Sequence, residues 1–95
     1  MKRHFKFRLY IAGDTENSAQ ARANLAAICR EHLPNHEIEI VDVLKEPKTG
    51  LADGIFMTPT LIKLMPAPTK KIVGTLCHTG TVLQALGLDV GTAVA

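Results

Sequence analysis

Sulfur and aromatic side chains are both scarce in this chain of 95 residues. Its two cysteines, Cys29 and Cys77, lie far apart, and neither belongs to a Cys-x-x-Cys pair. That excludes a local redox dithiol and a zinc knuckle, leaving both as small buried hydrophobes by default. Tryptophan is absent, and there are only one Tyr and three Phe. The interleaved aromatic and basic residues of a stacking platform are therefore missing, and no nucleic-acid partner is expected. No run approaches the roughly 18 apolar residues that span a bilayer. The basic N-terminus leads into alternating residues rather than a continuous apolar signal segment. A cytoplasmic protein with no membrane role is the expectation. His4, His32, His36 and His78 show no HxH or HExxH spacing, and Pro34 interrupts the one pair four apart. Neither a metal nor a cofactor is expected.

What remains is the composition of a folded domain, 46% apolar and 21% charged, with a net charge of +2. One domain over residues 1–95 fits this length, as a monomer or small homo-oligomer. Lys2, Arg3, Lys6 and Arg8 crowd the start. On a strand Lys6 and Arg8 share a face, which is either a solvated edge or suited to an acidic partner.

The apolar periods then place the elements. Phe5, Phe7, Leu9 and Ile11 alternate with Lys6, Arg8 and Tyr10, predicting a half-buried strand that Gly13 breaks. Ser18 to about His32 is alanine-rich, with Ala21, Leu25, Ile28 and His32 at helical spacing. Residues 37–43 alternate again, and a crossover through the helix sets this strand parallel to the first. Pro47 to Gly54 reads as a short helix or turn. Strands follow at Thr60–Leu64 and Lys70–Val73, with a turn at Pro66–Pro68 between them and a short helix over Thr81–Leu86. The order βαβ-(α)-ββα defines an α/β thioredoxin-like fold, a mixed sheet flanked by helices.

In that fold the reactive thiol stands at the start of the first helix, where free backbone donors and the helix dipole lower its pKa. Here the segment reads Gly13-Asp14-Thr15-Glu16-Asn17-Ser18. Asp14, Thr15, Asn17 and Ser18 are all good N-cap residues, and Ser18 has no base nearby in sequence to make it a nucleophile. Pro59 opens the third strand opposite this terminus, as a register and shape device. Glu37, Glu39 and Asp42 read as the solvated face and end of the second strand.

Several segments together resemble the KaiB family of circadian-clock proteins: Leu9-Tyr10-Ile11-Ala12-Gly13, Thr15 with Asn17-Ser18, Val41 to Lys45 before Pro47, Thr58-Pro59-Thr60-Leu61, Pro66 and Pro68 ahead of Lys70 to Gly74, and Gly87-Leu88-Asp89. The resemblance implies a non-catalytic protein-binding module that regulates a KaiC-type clock ATPase, binding its ring and other clock proteins. It also implies a second, ground-state fold with a rearranged C-terminal half; the β-branched Ile72-Val73 favours the thioredoxin-like one. Pro59, Pro66, Pro68, Gly87 and Asp89 are the expected fold-determining residues. The expected interface is the edge of the first βαβ unit, with Arg8, Tyr10, Asn17, Ser18, Asp42 and Lys45 toward the partner. Gln20, Glu39 and Gly54 stand where clock members carry basic residues. The alternatives are a redox-inactive domain with a stress or signalling partner, and a glutathione-binding domain in which Tyr10 or Ser18 bonds a thiolate and Pro59 orients the ligand. With no thiol from Gly13 to Ser18, insulin disulfides should be reduced no faster in its presence than in buffer with dithiothreitol alone. Acceleration would contradict the loss of thiol chemistry.

Overall fold

The first strand, β1 (Phe5–Ile11), is the one against which the other elements are placed in this computed structural model, which describes residues 4–87. Helix α1 (Glu16–His32) returns the chain so that β2 (His36–Asp42) pairs parallel to β1, with Phe5 opposite His36 and Ile11 opposite Asp42. A parallel neighbour needs such a crossover, and α1 supplies it. The short α2 (Pro47–Ala52) opens on a proline, whose missing N–H costs nothing there. Then β3 (Thr60–Met65) runs antiparallel to β1, β4 (Lys70–Val73) pairs antiparallel with β3, and α3 (Thr79–Ala85) closes the described chain. The sheet order is β2-β1-β3-β4.

This is the expected thioredoxin-like arrangement, including its C-terminal half, where Lys70–Val73 is strand and Thr79–Ala85 is helix. Helix α1 begins two residues earlier than its apolar period suggests, because the cap is Thr15 rather than a residue nearer Ser18. Helix α3 likewise starts at Thr79 and includes Gly80.

The sheet has two unequal cores. Phe7, Leu9 and Leu61 face Ala21, Leu25 and Ile28 of α1 and Val82 and Leu83 of α3, all within one cluster. On the opposite face Tyr10, Val41, Ile55 and Ile62 form a smaller one. The alternation of β1 therefore misleads at its end. Tyr10 belongs to the polar set by period, yet it is fully buried, because the chain around α2 covers this part of the second face. Arg8 is half-buried two residues back on that face.

The last helix is tied to the sheet by a buried cation. Lys63 of β3 is 2% exposed, and its ammonium donates to the Leu86 carbonyl over 3.3 Å. A positive charge at the C-terminal end of α3 complements the helix dipole and meets an otherwise open carbonyl. The loop before α3 is held from the other side, where the Asn24 amide donates to the Thr75 carbonyl at 2.7 Å. Within that loop Leu76 takes a left-handed φ of 64°, a conformation a leucine adopts at a cost, while its side chain is buried in the main core.

Pro59, Pro66 and Pro68 all follow cis peptide bonds. Pro59 leads into β3, and the other two lie in its connection to β4. Gly87 stops α3 with φ at 84°, while Asp89 lies outside the described residues. Cys29 is buried as expected, but Cys77 is exposed, because the β4–α3 loop turns Leu76 inward and leaves its neighbour outside. Among the described residues no helix is long and apolar enough to cross a membrane. Replacing Leu61, at the centre of the main core, by Ala should cost about 2–5 kcal/mol in urea denaturation. The same change at exposed Leu51 should stay within about 0.5 kcal/mol.

Candidate protein-docking site

The registers gather several loops at one end of the sheet. Ile11 lies opposite Asp42, and Tyr10 lies opposite Thr60, which itself pairs with Val73. The turn after β1, the turn after β2, the Met57–Pro59 segment and the end of β4 therefore meet there.

The start of α1 is built from hydroxyls. Thr15 Oγ1 accepts from the Ser18 backbone N–H at 3.3 Å and donates to Ser18 Oγ at 2.8 Å. Ser18 Oγ also accepts from the Ala12 N–H at 3.1 Å. The Ser18 side chain is thus an internal strut joining β1 to α1, 1% exposed, and not a nucleophile facing a substrate. Asp42 performs the matching task across the turn, accepting from the N–H groups of Gly13 at 3.1 Å and Leu44 at 2.9 Å. Gly13 has φ of 59°, and a Cβ there would come within 3.2 Å of Leu44, so the position suits glycine twice over.

A second network fastens α2 to the sheet. The Asp53 carboxylate accepts from Arg8 Nη1 at 2.9 Å and, through the same oxygen, from the Tyr10 hydroxyl. Arg8 Nε also donates to Glu39 at 2.9 Å, and the Lys71 ammonium donates to the Asp53 carbonyl at 3.0 Å. The Tyr10 hydrogen bond, then the Arg8 guanidinium, holds the Asp53 carboxyl below its usual range. Burial, then the Asp53 contact, pushes the Tyr10 hydroxyl up to about 12. The bonds to Glu39 and Asp53 raise Arg8 above its ordinary value. None of these groups is poised to exchange a proton near neutrality. Burial likewise pushes the Cys29 thiol up to about 11, away from thiolate chemistry. Among the described residues no cluster of three or more His, Cys, Asp or Glu could hold a metal ion.

Of the residues expected at an interface, Asn17 and Lys45 are exposed and Asp42 is half-exposed. Tyr10 and Ser18 are buried and hydrogen-bonded within the fold, and Arg8 is engaged by two carboxylates. Glu37 and Glu39 are exposed, as expected of an edge strand, with Glu37 beside His4 at 3.0 Å. Reading by motif misses Asp53, which looks like an ordinary turn residue ahead of Gly54. It also misses the apolar residues displayed around α2, namely Leu44, Leu51, Phe56 and Met57. Their signal is the unpatterned run Ile55-Phe56-Met57 in a connection, where polar residues are the rule. A hollow of about 310 Å³ lies between Val43, Pro47 and Leu51 on one side and Ile55, Phe56 and Met57 on the other.

The KaiB domain family matches residues 8–88 of this chain. Over 84 residues the chain is 45% identical to circadian clock protein KaiB3 of Synechocystis sp., covering 87% of this chain and 80% of that protein. It is 39% identical over 89 residues to circadian clock oscillator protein KaiB of Microcystis aeruginosa, covering 93% and 84%. Among solved structures it is similar to the N-terminal domain of Synechococcus elongatus SasA, with a TM-score of 0.72 at 16% identity over 96% of this chain and 90% of that one. Fasciola hepatica thioredoxin superposes with a TM-score of 0.72 at 15% identity, over 93% and 84%. At such identities these structures establish the thioredoxin-like fold alone.

Because folding favours the ionised form of Asp53, its contribution is complete above the ordinary aspartate pKa of about 3.9 and is lost as pH falls through the lowered folded value. The stability advantage of the native chain over Asp53→Asn should therefore be constant from about pH 5 to 8 and shrink below about pH 4. Urea denaturation across this range checks it, and a gap unchanged to the lowest pH would show that Asp53 is not held ionised by the fold.

Proposed function

The chain belongs to the KaiB family, and from that premise we propose that it is a non-catalytic protein-binding module regulating a KaiC-type clock ATPase in circadian timing. The observation that carries this reading is the family match across residues 8–88, together with relatives named as circadian clock proteins. The hydroxyl-built start of α1 supports a role without thiol catalysis, since Thr15 and Ser18 are spent on capping and joining. As a single domain over residues 1–95, acting in the cytoplasm, it binds the ATPase ring and other clock proteins.

The interface in this proposal is the edge of the first βαβ unit. Asn17 and Lys45 contact the partner directly, and Asp42 shapes the turn that carries Lys45. Arg8, Tyr10 and Ser18 act from within, holding β1 to α2 and α1. A partner outside the clock is the second reading. One observation favours it: Glu39, at a position where the resemblance places a basic partner contact, instead neutralises Arg8. Co-purification from the native cell distinguishes the two.

Immobilised protein should capture a KaiC-type ATPase ring in at least one of its two nucleotide states. Lys45→Glu should weaken that capture by about tenfold. Absence of association in both states would remove the clock-partner reading and leave the fold untouched.

A further inference from the structure

We draw no further inference here: the strongest candidate, the hollow of about 280 Å³ between β4 and the start of α3, lined by Ile72, Leu76, Val82 and the exposed Cys77, carries none, because nothing in the structure shows what covers it.

Discussion

Asp53 sits just beyond α2, and its carboxylate is where two residues of the central strand, Arg8 and Tyr10, reach across the sheet's second face to grip the connection into β3. Much else follows from this contact. It lets a tyrosine hydroxyl and an arginine sit partly or fully out of water, which either would resist without a partner. It holds the chain beyond α2 against the second face, where Ile55 completes the smaller core with Val41 and Ile62. It also sets the course of the chain immediately before Pro59, so that Phe56 and Met57 stand outward while Ile55 turns in.

The start of α1 and the turn after β2 are closed in a related way, by hydroxyls and a carboxylate. Thr15, Ser18 and Asp42 each satisfy backbone N–H groups that the strand ends and helix start leave open. In a redox protein of this architecture the same place carries a sulfur whose pKa the helix terminus depresses. Here the Ser18 N–H at that terminus is capped by the Thr15 hydroxyl oxygen, and the one buried thiol, Cys29, is pushed the other way by burial. The end of the sheet is thereby turned from a reactive centre into a rigid edge, on which exposed side chains such as Asn17 and Lys45 are displayed.

Much of the fold was legible before any coordinates. The alternation in β1 and β2, the alanine-rich run of α1 and the proline before β3 are local signals, and each marks an element within one or two residues. The boundary at α1 moved because Thr15 and not a later hydroxyl forms the cap, a choice made by the Ala12–Ser18 contact rather than by propensity. Burial of Tyr10 and Lys63 was not legible. Tyr10 looks like a solvent-side residue by period and Lys63 by residue type, and both are drawn inward by elements distant in sequence, Tyr10 by Asp53 and Lys63 by the end of α3.

The chain's order of elements, the absence of a thiol at the start of α1 and the resemblance to one family are properties of the sequence alone, because each depends on residue type at short spacing. Which polar side chains are structural and which are offered to a partner was decided only in three dimensions. Arg8, Tyr10 and Ser18 became internal supports, whereas Leu51, Phe56 and Met57, apolar by composition, were left outside. The physical reason is that a side chain's surroundings depend on which element crosses its face, and that path is set by contacts between residues tens of positions apart.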